Sequence, residues 1–189
     1  MEAARAELVA TALKPALAAG RVVLCDRYAD STLAYQGAGR GLDLAMLHEW
    51  NRVATGGLDP DLTLLYDLDP AIGLERRAGD HGVPNRLDRE SLEFHARVRA
   101  CFLELARAEP GRFVVIDAGA APAAVERRTW EAVEGRLAGA GTRAAGSAGA
   151  ARGAVPCAIV AAAATVWPFP DIRGSAPARW RSGPTRRDS

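Results

Sequence analysis

Apolar residues recur at helical spacing between Glu2 and Ala19, through Leu8, Val9, Ala12, Leu13, Ala16 and Leu17, and Gly20 closes the run. The pattern predicts a helix that Pro15 bends without ending. Val22–Cys25 is unbroken apolar sequence and reads as a first strand. Helical spacing returns over residues 43–54 at Leu44, Leu47, Trp50 and Val53, and Gly56-Gly57 with Asp59-Pro60 makes a turn. Leu62–Tyr66 is a second apolar strand. Ala71–Arg77 starts a helix, which the Gly/Pro/Asn-rich stretch Gly79–Asn85 interrupts. A long helix from Asp88 to Ala108 follows, with Leu92, Val98, Phe102 and Leu105 facing inward. Phe113–Ile116 is a third strand and Pro122–Leu137 a last helix.

Nearly unbroken apolar strands separated by helices imply an α/β fold whose parallel sheet is covered on both faces. Each strand runs into an aspartate, Asp26, Asp67 and Asp117. Three such acids suggest a common polar edge at the carboxyl ends, where open α/β sheets build their ligand sites. Past Leu137 the period is lost. Residues 139–153 are Gly, Ala, Arg, Ser and Thr, and residues 170–189 are rich in Pro, Ser and Arg. The pattern therefore divides the chain into a body, 1–138, and a low-complexity, disordered tail, 139–189. Val155–Val166 is apolar enough to pack, with no partner identified.

Composition changes this picture little. The 189 residues carry a formal net charge of +1, which argues against a chain built wholesale for nucleic acid. The sum hides an asymmetry: residues 139–189 hold 7 basic and 2 acidic side chains. Only Trp167, Phe169 and Trp180 accompany those charges, a poor match to a nucleic-acid-binding tail. Three cysteines, Cys25, Cys101 and Cys157, without a C-x-x-C pair, fit reduced thiols in a cytoplasmic protein. Pro156 and Pro168 break the most apolar tail stretch, which falls short of the ~20 residues of a membrane span. His48, His81 and His95 are scattered and have no ligand partners at metal spacing.

The chemistry concentrates in VVLCDRYADSTLAYQGAGRGL, residues 22–42. Asp26-Arg27 after a strand is most often a structural ion pair. The residues that follow favour a site. Arg27 offers a planar fork suited to phosphate, and Asp26 a carboxylate for a water or a magnesium shell. Tyr35 supplies a flat apolar wall with a hydroxyl tip. Thr32 and Gln36 carry donors and acceptors suited to a base edge. Together they could supply a nucleoside monophosphate pocket within eleven residues.

This stretch, with AARAELVATALKPALAAG before it and PDLTLLYDLDPAIGLERR, NRLDRESLEFHARVRACFLELA and FVVIDA after it, resembles the thymidylate (dTMP) kinases. The resemblance implies a P-loop NTPase-like nucleoside monophosphate kinase fold and transfer of the ATP γ-phosphoryl to dTMP with Mg²⁺. It also implies a homodimer. By position, Arg5 matches the arginine that bonds the thymine edge. Asp26 and Arg27 match the acid near magnesium and the arginine on the dTMP phosphate. Thr32 matches a base-recognition side chain, and Tyr35 the aromatic against the deoxyribose. Gln36 and Arg40 belong to the same signature. Arg76, Arg77 and Arg86 fall in and around the lid that supplies charge to the transferring group, while a solvated helix face suits Arg89, Arg97, Arg99 and Arg107. Asp117-Ala118 falls where the family holds the ATP adenine through backbone.

The chain departs from the family at one decisive place. It has no G-x-x-x-x-G-K-[ST] segment, and its one lysine, Lys14, lies mid-helix. The resemblance starts at Met1, so the expected sheet lacks the family's first two strands, one of them central, and keeps a gap in its middle. Met1 falls where the family has an aromatic against thymine, and Asn85 where many relatives have an acid. The implied activity is weak or absent in this chain alone. The alternative is a remnant that binds dTMP without catalysis.

Overall fold

The computed structural model describes residues 2–79, 90–146 and 158–164. The N-terminal helix is continuous but changes pitch: α1 (Glu2–Leu8), a π-helical turn over Val9–Leu13, then α2 (Lys14–Ala18). The Lys14 N–H reaches back five residues to the Val9 carbonyl. That wide turn lies just before Pro15, whose ring would crowd the carbonyl four residues earlier in a regular helix. The expected bend is thus a change of pitch. Val9 and Leu13 point into a small core with Tyr28, beside Val23 and Cys25 of strand β1 (Val22–Asp26).

After β1 the chain turns directly into helix, α3 (Ala29–Thr32) and a π-helical segment over Leu33–Gly39. The sequence pattern assigns no element here because Gly37, Gly39 and Gly41 read as loop. Two of these glycines serve close packing. A Cβ on Gly37 would lie 2.3 Å from Leu44 Cδ2, and one on Gly39 2.6 Å from Phe94 Cε2. Helix α4 (Leu44–Thr55) follows, where Asp43 accepts the Met46 N–H at 2.7 Å and Gly56 ends the helix at φ 60°.

Strand β2 (Leu62–Asp67) and strand β3 (Phe113–Asp117) pair in parallel and stand where the sequence puts them. Between them lie α5 (Pro70–Gly79) and α6 (Leu92–Ala108). Helix α6 begins at Leu92 because the Ser91 hydroxyl caps the Phe94 N–H at 3.2 Å. Alternate β2 residues divide between two cores. Leu65 joins Tyr35, Phe94, Val98, Phe102 and Phe113 on one face, and Leu62 and Leu64 join Ile116 and Val125 on the other. This is the doubly covered parallel sheet expected from the apolar runs. At β1 the cover thins, and Leu24 is 76% exposed.

The far end of the chain departs most from expectation. Helix α7 (Pro122–Gly146) continues past Leu137 and across the 138/139 boundary. Its last turns are Ala/Gly-rich sequence with no apolar period to reveal them, although alanine itself favours helix. Strand β4 (Ala158–Ala164) then enters the sheet, giving the order β1-β4-β2-β3. It pairs in parallel on both sides, Cys25 opposite Ala161 and Ala161 opposite Thr63. The gap expected mid-sheet is therefore filled, by a segment of the stretch read as tail.

Candidate functional site

The site is built where α1, the turn after β1, and α4 converge. Arg5 is only 11% exposed. Its Nη1 donates to Thr32 Oγ1 at 3.0 Å, Asn51 Oδ1 at 2.7 Å and Glu2 Oε2 at 2.6 Å, and its Nη2 donates to the Tyr28 carbonyl at 3.3 Å. The Thr32 hydroxyl in turn donates to Glu2 Oε1 at 3.2 Å. Two residues that the sequence assigns to one base edge, 27 positions apart, are thus in contact. Glu2 and Asn51 complete the cluster, and sequence reasoning missed both. Asn51 did leave a signal: it is a polar residue on the buried face of α4 that carries Leu47 and Ala54.

Arg27 is the only non-glycine residue with positive φ among the described residues, at 65°. An arginine in left-handed backbone is uncommon and costs on the order of 1 kcal/mol or more, so the surroundings must hold it there. Its guanidinium carbon lies 4.2 Å from the Tyr35 ring centroid. The rest of that ring is core, edge-on to Phe102 at 6.1 Å and tilted against Phe94 at 6.2 Å. Burial raises the Tyr35 phenol above its ordinary pKa. Gln36 is half-buried on the π-helical segment, and Arg40 pairs with Glu90 at 2.9 Å.

The three strand-end aspartates do not form one level edge. Asp67 and Asp117 lie opposite one another, whereas Asp26 is level with Leu64, through Ala162. Nor are they alike in chemistry. Arg99 grips Asp67 with two bonds, at 2.7 and 2.9 Å, and that pairing raises the arginine's pKa. Asp117 Oδ1 accepts the Gly119 N–H at 2.8 Å, the work of a turn former. Asp26 is exposed, with no ion pair to any described residue. No group of three or more His, Cys, Asp or Glu among the described residues could hold a metal directly. A cation beside Asp26 would be held through water rather than by a cage of side chains.

The remaining expected residues are less gathered. Arg76 reaches across from α5 to the Ala118 carbonyl at 3.0 Å, and the Ala118 N–H donates to the Asp67 carbonyl at 2.8 Å. Both backbone groups at the supposed adenine edge already have partners. Arg77 follows Arg76 on α5, while Arg86 lies outside the described residues. Two α6 arginines read as solvated are tethers instead: Arg99 as above, and Arg97 to the carbonyls of Ala38 and Gly39 at 3.2 and 2.8 Å. His95 is buried edge-on to Phe94, a core position. Cys25 and Cys101 are free thiols, and burial pushes Cys101 up to about 11.

Beneath the site, Arg112 closes a second polar cluster. It holds Asp30 with two bonds, at 2.7 and 3.0 Å, Glu109 with two, at 2.7 and 2.8 Å, and Thr63 Oγ1 at 3.0 Å. Burial disfavours its charge, yet the bonds to Glu109 and Asp30 outweigh burial and raise its pKa. The cluster ties the start of α3 to β2 and β3, and so fixes the backbone that presents Arg27 and Thr32.

The family model described as thymidylate kinase matches residues 1–128. The chain belongs to the thymidylate kinase family. A thymidylate kinase of Deinococcus radiodurans is 56% identical over 134 residues, covering 71% of this chain and 65% of that protein. One from Solidesulfovibrio magneticus is 56% identical over 135 residues, covering 68% and 65%. The chain thus spans about 65% of the length of these curated relatives. Among solved structures, the thymidylate kinase of Ehrlichia chaffeensis is 32% identical, with a TM-score of 0.48 over 61% of this chain and 53% of that one. The family is one of phosphotransferases. No helix among the described residues is long and apolar enough to cross a membrane.

Proposed function

We propose that this site takes dTMP and serves its phosphorylation by ATP to dTDP. The observation that carries the reading is the convergence of Arg5 on Thr32 beside the strained Arg27. It supplies donors for a base edge and a fork for a phosphate on one preformed surface. In this reading Arg5 and Thr32 meet the thymine edge, Tyr35 backs the sugar with Gln36 beside it, and Arg27 holds the phosphate. Transfer would rest on position and positive charge rather than a protein nucleophile. Arg76, Arg77 and Arg86 would supply that charge, with Arg76 leaving Ala118 as ATP takes the edge at Asp117 and Ala118. Asp26 would hold magnesium through a water, and the ion would supply positive charge against the phosphates.

A phosphate-cradling G-x-x-x-x-G-K-[ST] loop is absent from the 189 residues. We therefore expect this polypeptide to bind dTMP well and to transfer phosphoryl slowly, if at all. A homodimer in the cytoplasm belongs to the same reading. Titration calorimetry with dTMP on the full chain, beside dTDP formation from dTMP and MgATP, tests both parts. Saturable heat is the expected result, with affinity falling roughly ten- to hundredfold in Arg5→Ala, the worth of a charge-assisted bond. Heat of dilution alone, or equal binding by Arg5→Ala, would remove the reading.

A further inference from the structure

One nitrogen of Arg5, Nη1, has more acceptors than hydrogens. It carries two protons but faces Glu2, Asn51 and Thr32 at 2.6, 2.7 and 3.0 Å. Those three acceptors differ in kind. Glu2 sits at the rim, with its side chain 23% exposed, on the first turn of α1. Asn51 is 5% exposed, mid-way along α4. Its other end is also committed: Nδ2 donates to the Ala29 carbonyl at 3.0 Å. The amide has one sensible orientation here. Its oxygen must face the guanidinium and its nitrogen the carbonyl, since the flipped amide would set donor against donor and acceptor against acceptor. One side chain therefore locks both the arginine and the first residue of the helix that carries Thr32.

We propose that Asn51 is the positioning residue of the base-reading pair, holding Arg5 and the Ala29 carbonyl in register while Glu2 stands in for the polar edge of the base. The proposal rests on the reading of this site as the dTMP pocket. When a base enters, its carbonyl takes the place of the Glu2 carboxylate on Arg5, and Asn51 keeps the guanidinium aimed. Thymine fits because it offers an acceptor where cytosine offers an amino donor. An arginine held in place discriminates between them; an arginine free to swing does not.

The experiment is calorimetry on the full chain with three ligands: dTMP, dCMP and deoxyribose 5-phosphate, which has no base. In Asn51→Ala the dTMP-to-dCMP affinity ratio falls roughly tenfold, about the worth of one such hydrogen bond to a charge. Binding of deoxyribose 5-phosphate stays within about twofold, because Arg27 is untouched. Asn51→Asp keeps the acceptor for Arg5 but sets an oxygen against the Ala29 carbonyl, so it retains only part of the ratio. Should Asn51→Ala lose its thermal transition, Asn51→Gln replaces it: both polar groups are kept but displaced by one methylene, and the ratio falls again. An unchanged ratio in a folded Ala or Gln variant overturns the proposal and leaves the pocket reading intact. Equal weakening of all three ligands reduces Asn51 to a structural role and also overturns it. A wild-type chain that binds no dTMP removes the pocket and the proposal together.

Discussion

The polar cluster around Arg5 and the strand at the centre of the sheet are held by different means. In the cluster, Glu2, Arg5, Tyr28, Ala29, Thr32 and Asn51 meet through directional bonds between particular atoms. Strand β4 is placed by its backbone ladders, five paired residues on each side, and its sequence AIVAAAA is apolar and simple. One region depends on which residues are present, the other on a strand being present at all. Specific recognition needs the first kind of order; a closed sheet needs only the second.

The sharpest way to break the side-chain-dependent region is Arg112→Ala. It leaves Asp30, with its side chain 9% exposed, as a charge without its cation. Breaking a buried pair in this way costs roughly 3–5 kcal/mol, so the urea midpoint should fall steeply while the unfolding slope is kept. Next comes Ala161→Pro, which removes an N–H from a strand paired on both sides. A loss of about 3 kcal/mol is expected. Hydrogen exchange should quicken together in Val22–Asp26 and Leu62–Asp67, whose backbones are joined only through β4. Unchanged protection in either strand would show that the sheet does not need β4.

The smallest effect concerns pH. The hydrogen bond from Arg112 lowers the Glu109 pKa below its ordinary value. A lowered folded pKa stabilises the protein above the unfolded value, near 4.3, and that share is lost as pH falls through the folded value. Stability should be level above about pH 5 and decline more steeply below about pH 4 than in Glu109→Gln. Glu109 is half exposed, so the difference between the two curves should be slight.

The same division explains what could be read from the sequence. Helix α4 and strands β2 and β3 were legible because apolar period and turn residues agree along each of them. The family signature set Thr32 and Arg5 at one base edge, and the two side chains are in contact. The helix through Tyr35 was hidden because Gly37 and Gly39 look like a loop, while their use is to let Leu44 and Phe94 come close. Strand β4 was hidden for a deeper reason. Alanine runs carry little strand preference, and pairing between two distant edges has no local signature. Asn51 and Arg112 were hidden because their partners lie 46 and 82 positions away.

Strand β1 ends three residues lower in the sheet than β2, with Asp26 beside Leu64 rather than Asp67. At ~3.3 Å per residue this is a drop of ~10 Å, so the carboxyl edge is a staircase rather than a rim. The chain leaving the lower tread does not rise above the sheet. It turns back along its flank, where Asp30 meets Arg112 at the foot of β3. The helix through Thr32 and Tyr35 is therefore walled in by the sheet it follows, and its shape is set when the protein folds. A ligand arriving there has little left to order, and its binding should show a small entropy penalty and a surface already cut to fit.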